Sequence, residues 1–137
     1  MKNTLLILLL QLIAFGGYTQ NYEGKHKLYL GKSKNHAAGF YNSDGGWCTI
    51  KSNKQEVRVV GLLHNKETMQ TDSIYIETKL NHQILFSESR SCWKNAKTIY
   101  IYVNIPNQNS KDGYIISVYD KKGGKLLADC GLSINPE

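Results

Sequence analysis

The stretch Lys97–Pro106, KTIYIYVNIP, alternates with period two: Ile99, Ile101, Val103 and Ile105 share one phase, and Tyr100, Tyr102 and Asn104 the other. Successive side chains of an extended strand point to opposite faces, so this pattern writes one core face and one outer face of a β-sheet. The same period runs through Asp72–Leu80, with Ile74, Ile76, Thr78 and Leu80 inward and Tyr75, Glu77 and Lys79 outward. Asn81-His82 then reads as a two-residue hairpin turn, because asparagine tolerates the positive φ that such turns need. A return strand follows, with Ile84 and Phe86 expected inward. Near the C-terminus, Gly113–Ile134 reads as a second hairpin whose loop, Asp120–Gly124, supplies glycines for a bulged turn. Earlier strand candidates are 25–31, 39–42, 46–51 and 56–63.

No window carries a helical stripe, and strand-length segments recur about every ten residues between Gly, Asn, Ser and Asp clusters. The expected fold is therefore all-β: a single antiparallel β-sandwich, or small barrel, of about eight to nine strands. No repeat and no domain linker interrupts it.

The N-terminus constrains location. Lys2 precedes the apolar run Leu5–Phe15, which is shorter than the roughly 20 residues a membrane-spanning helix needs. Small residues Gly17 and Thr19 follow, as at a signal-peptidase site, so residues 1–19 are expected to be a signal peptide and residues 20–137 the mature single domain. No cysteine follows the run to take a lipid, so no stable membrane anchor is expected, and the product should be exported to a periplasmic or extracellular space. The net charge of +6 is spread along the chain. No clustered arginines and no aromatic-basic module mark a nucleic-acid binder, while diffuse positive charge leaves polyanion binding open.

Two Trp-Cys pairs, Trp47-Cys48 and Trp93-Cys92, raise the question of site or core. Parity allows only one member of a pair to face the core. Cys48 is in phase with Ile50, and Trp47 with Thr49 and Lys51, so Cys48 is expected inside and Trp47 outside. Cys130 shares its phase with Leu126, Ala128, Leu132 and Ile134 and is a core residue. Cys92, among Ser89, Arg90, Ser91 and Lys94, belongs to a loop or strand end. In an oxidising compartment three cysteines leave one over. The expected bridge is Cys48 with Cys130, leaving Cys92 as the free thiol; Cys48 with Cys92 is the alternative.

The four histidines, His26, His36, His64 and His82, have no metal-ligand spacing, and no two cysteines lie close in sequence. There is no nucleophile elbow, phosphate loop or calcium loop. No catalytic residue, metal or cofactor is assigned. The enzymatic alternative is a small hydrolase in which Cys92, its pKa lowered by Arg90 and Lys94, meets His64 or His36. The favoured reading is an exported binding module, of an inhibitor, immunity or accessory type, holding a protein or glycan. Its candidate contacts are the outward aromatics Trp47, Tyr75, Tyr100 and Tyr102, together with Trp93, because rings on a sheet face bury large area at little entropic cost.

Overall fold

A computed structural model describes residues 26–39, 46–65, 68–108 and 113–137. The expected signal peptide at 1–19 lies outside the described residues, as do positions 40–42 of the strand expected at 39–42. The elements are β1 (His26–Gly31), α1 (Lys34–Gly39), β2 (Trp47–Lys51), β3 (Glu56–Asn65), β4 (Ser73–Leu80), β5 (Gln83–Ser91), β6 (Thr98–Pro106), β7 (Tyr114–Tyr119) and β8 (Leu126–Asn135). They form a β-sandwich of two sheets, one ordered β1-β3-β6 and the other β2-β8-β7-β4-β5.

The inward phases read from the sequence for β4, β6 and β8 meet between the sheets, where β3 and β7 add apolar faces of their own. Val57, Val59 and Leu63 of β3 and Ile101, Val103 and Ile105 of β6 face Ile74 and Ile76 of β4, Ile116 and Val118 of β7, and Ala128, Cys130 and Leu132 of β8. Ile116 is fully buried, and truncating such a residue to alanine costs about 2–5 kcal/mol through lost transfer energy and the cavity left behind. Thr78 follows the same inward phase, and its buried hydroxyl has no hydrogen-bond partner among the described residues.

Three expectations are corrected. The sandwich is not wholly antiparallel: β2 runs parallel to β8, with Trp47 opposite Gly131 and Lys51 opposite Asn135. A short helix exists where none was expected. Ser33 starts α1, its hydroxyl accepting from the His36 N–H at 3.2 Å and its carbonyl from the Ala37 N–H at 3.0 Å. The helix lays Ala37 on Tyr29 and Leu62, on the outer face of the three-stranded sheet. So short a helix needs only that one apolar contact, which leaves no periodic stripe to read.

The third correction concerns β5. The hairpin turn falls at Asn81-His82, both at positive φ (53° and 65°). A bulge then sits in the ladder where Thr78 pairs Phe86 and Lys79 pairs Ile84. One extra residue reverses the phase of one strand end relative to the other. Phe86 packs against the core as expected, whereas Ile84 is turned outward and stays 54% exposed.

Candidate functional site

The bulge and the parallel strand together assemble a row across the outer face of the five-stranded sheet. Trp47 of β2 lies opposite Gly131 of β8, Gly131 opposite Ile115 of β7, Ile115 opposite Lys79 of β4, and Lys79 opposite Ile84 of β5. Cross-strand neighbours on one face lie about 5 Å apart, so the row is continuous.

Trp47 does not stand up from this face. A Cβ placed on Gly131 would fall among the indole carbons, 2.7 Å from Cδ2, and one on Gly113 would lie 2.7 Å from Cζ2 and 2.9 Å from Cη2. The ring therefore lies flat over two bare backbone segments, its far edge on Gly113, whose φ of 73° itself favours glycine. The indole N–H donates to Ser133 Oγ at 2.8 Å and fixes the ring's rotation. One face of the indole is used up and the other is open, consistent with an exposure of 48%.

Beside the ring runs a groove of about 450 Å³, lined by Trp47, Lys79, Asn81, His82, Gly113 and Ile115. Its charge is largely compensated. Lys79 Nζ lies 3.4 Å from Glu77 Oε2 and donates to the Tyr119 hydroxyl at 3.4 Å. Burial works against its charge, but Tyr119 and Glu77 together outweigh burial and raise its pKa. The groove thus offers an aromatic shelf, an apolar floor, and amide and imidazole groups on a hairpin turn. It has the chemistry of a binding surface for a ligand that is apolar on one side and hydroxylated on the other.

The remaining aromatics named from the sequence do not join this surface. Tyr75 is on the outer phase of β4 but only 8% exposed, with its ring centroid 6.3 Å from that of Tyr119. Tyr100 and Tyr102 face outward from the other sheet, on the opposite side of the sandwich. Lys34 covers the Tyr100 ring at 4.7 Å and Arg58 covers the Tyr102 ring at 4.6 Å. Trp93 is 85% exposed, beyond the Ser91 end of β5, whereas Trp47 belongs to the row at the other end of that strand. Parity gave each side chain its face, but not the sheet that face belongs to.

Cys48 and Cys130 are buried, in the phases expected, and Cys92 follows the end of β5. The expected Cys48 to Cys130 bridge is not formed: all three cysteines are free thiols. Cys48 lies opposite Leu132, two residues along β8 from Cys130, and its thiol donates instead to the Leu30 carbonyl at 2.9 Å. Burial pushes the Cys48 thiol up to about 11 and that of Cys130 to about 12. Cys48 shares a row with Leu132, Tyr114 and Leu80, while Cys92 lies past the Ser73–Ser91 pair at the far end of β4, so Cys48 and Cys92 are also apart.

The expectation of an activated Cys92 is reversed. Its thiol packs against the core and reaches the Thr71 carbonyl at 3.5 Å, and burial, then Asp72, raise its pKa. His64 lies on the other sheet, its Nδ1 3.3 Å from Thr98 Oγ1, and His36 is on α1. Cys92, His64 and His36 are not brought together. Among the described residues no group of three or more His, Cys, Asp or Glu side chains converges, and no helix is long and apolar enough to cross a membrane.

No protein-family model and no curated protein matches the sequence. Among solved structures, the chain is similar to the CARDB domain of the PF1109 protein of Pyrococcus furiosus, solved in complex with di-metal ions. The TM-score is 0.46 at 11% identity, over 82% of this chain and 93% of that one.

Sequence reasoning named Trp47 but missed Gly113, Ile115, Gly131, Ser133 and Ile84, and read Lys79, Asn81 and His82 only as strand and turn. One signal was present: Gly131 interrupts an apolar strand, and a glycine there marks the close approach of another group. Nothing local marked Ile84, because its direction depends on the bulge.

Proposed function

We propose that residues 20–137 form a small exported binding module that holds a glycan by stacking a sugar ring on the open face of Trp47. The observation that carries this reading is the ring itself, seated on Gly131 and Gly113 and held by Ser133, with its free face level with a groove. A ring fixed before binding loses little entropy on binding, which is the cost that most weakens flexible contacts. The C–H face of a sugar can lie on the indole while its hydroxyls reach Asn81 and His82. Lys79, neutralised by Glu77, suits a sugar without its own charge. An inhibitor or accessory role follows from binding without chemistry.

The test is retention of the full chain on insoluble chitin, cellulose and xylan, and fluorescence titration with their soluble oligosaccharides. Trp47→Ala is expected to weaken binding about 30-fold, the scale of an aromatic anchor, and Trp93→Ala to leave it unchanged. Equal losses in the two variants, or no retention on any of these polymers, would reject the glycan reading and favour a protein partner for this face.

A further inference from the structure

At the other end of β2 from Trp47, the chain turns through Ser52, Asn53 and Lys54 and forms one wall of a second cleft, of about 490 Å³, with Lys32, Arg58 and Glu137. The turn is well braced. Asn107 Nδ2 donates to the Ser52 and Lys54 carbonyls at 3.3 and 3.1 Å, and the Ser52 N–H donates to the Asn135 carbonyl at 2.8 Å. Three side-chain cations line this cleft against one side-chain carboxylate.

That carboxylate already sits where an anionic ligand would. Glu137 Oε1 lies 3.4 Å from Lys32 Nζ, and the Glu137 N–H donates to Asn53 Oδ1 at 2.9 Å. Among the described residues no carboxylate forms an ion pair with Lys54 or Arg58. Arg58 Cζ lies 4.6 Å from the centre of the Tyr102 ring, a cation–π contact that holds the guanidinium at the edge of the cleft. A guanidinium already in contact with a ring still has N–H donors for an oxyanion, and it loses less freedom on binding than a loose one. The cation row continues across the outer face of β6 to Lys34, over Tyr100.

We propose that this cleft binds the sulfate or carboxylate groups of an acidic polysaccharide, with Lys32, Lys54 and Arg58 as the contacts and Glu137 holding the ligand's place in the free protein. It stands on residues separate from Trp47 and does not depend on the neutral-sugar groove. A polysaccharide fits better than a single-stranded nucleic acid. Such strands bind by stacking bases on open aromatic rings, and the ring at this cleft, Tyr102, already has Arg58 over it. The recognition left to the cleft is charge, with the Asn53 amide beside it for hydroxyl groups.

The experiment is a salt-dependent titration of the full chain with a heparin-derived oligosaccharide of defined length. Lys54→Gln and Arg58→Gln are each expected to weaken binding several-fold and to lower the slope of log affinity against log salt by about one. Glu137→Gln is expected to tighten binding by about two- to fivefold, by removing an exposed competing ion pair. Lys121→Gln with Lys122→Gln, in the β7–β8 turn, should change nothing. All these sites are peripheral charges, and circular dichroism melts confirm that each variant is folded. An equal loss in the Lys121 and Lys122 variant would overturn the cleft in favour of net charge alone. No gain with Glu137→Gln would overturn its place-holding role, and tighter binding of single-stranded DNA of matched length would overturn the ligand class.

Discussion

Gly131→Ala should unseat Trp47. The backbone at Gly131 is not in the left-handed region, so alanine is conformationally acceptable there, and the conflict is purely with the indole. The new Cβ would fall among Cε3, Cζ3 and Cδ2, with Trp47 unable to remain flat. With 48% of Trp47 exposed, about half of its surface is covered. A tryptophan carries roughly 250 Å², so about 130 Å² at about 25 cal/mol/Å² gives an upper value of about 3 kcal/mol for the seat. The hydrogen bond to Ser133 adds about 1 kcal/mol at most, since a displaced indole N–H is rehydrated. The ring keeps part of its contact when it tilts, so the expected cost of Gly131→Ala is about 2 kcal/mol, with a similar cost for Trp47→Ala. In the double variant the obstruction is gone, and replacing glycine should cost under about 0.5 kcal/mol or even stabilise by restricting the unfolded chain. The double-mutant cycle should therefore show a coupling of at least about 1.5 kcal/mol. Urea unfolding followed by far-UV circular dichroism measures it, and in a Trp93→Phe background the indole emission reports whether the ring has moved. Additive costs with unchanged emission would refute the seating of Trp47, and with it the preformed platform.

Two further outcomes follow from the thiols and the turn. Cys48, with its folded pKa raised from 9.0 to about 11, binds its proton more tightly folded than unfolded. Its contribution is complete below pH 9 and is lost as pH rises towards 11, so wild type should lose about 2 kcal/mol relative to Cys48→Ala by about pH 10.5, read as the difference in urea midpoints. His82→Gly should stabilise the fold by about 0.5–1 kcal/mol, because a φ of 65° suits glycine better than histidine, while weakening oligosaccharide binding in the same titration that tests Trp47.

Legibility in the sequence followed the range of the interactions involved. Alternation depends only on neighbours, and it placed β4 and β6, the buried Cys48 and Cys130, and the outward Trp47 correctly. The Asn81-His82 turn was legible for the same reason, since its chemistry lies within two residues. What failed depends on partners far along the chain. The parallel joining of β2 to β8 is written in no local pattern, and it is what sets Trp47 on Gly131. The reversal of Ile84 required knowing that the β4–β5 ladder carries a bulge. The outward tyrosines were read as one surface because parity distinguishes in from out within a strand, and a sandwich has two outsides.

Those two outsides have been treated differently by the same chain. On the three-stranded sheet the outer phase is partly occupied: α1 lies on Tyr29 and Leu62, Arg58 sits over Tyr102, and Lys34 over a Tyr100 that stays 41% exposed. On the five-stranded sheet the row through Trp47 has glycine next to the tryptophan, and so a large ring is lowered onto the backbone instead of being packed by neighbours. Lowering the ring covers one face and opens the other, which converts a core-type residue into a shelf without exposing the whole of its apolar area. The glycine is compatible with strand formation only at a cost of about 0.5–1 kcal/mol, and the feature it permits is the flat, half-open indole. The seat, at about 2 kcal/mol, more than offsets that cost, and the indole face it leaves open is the one the proposed sugar contact would use.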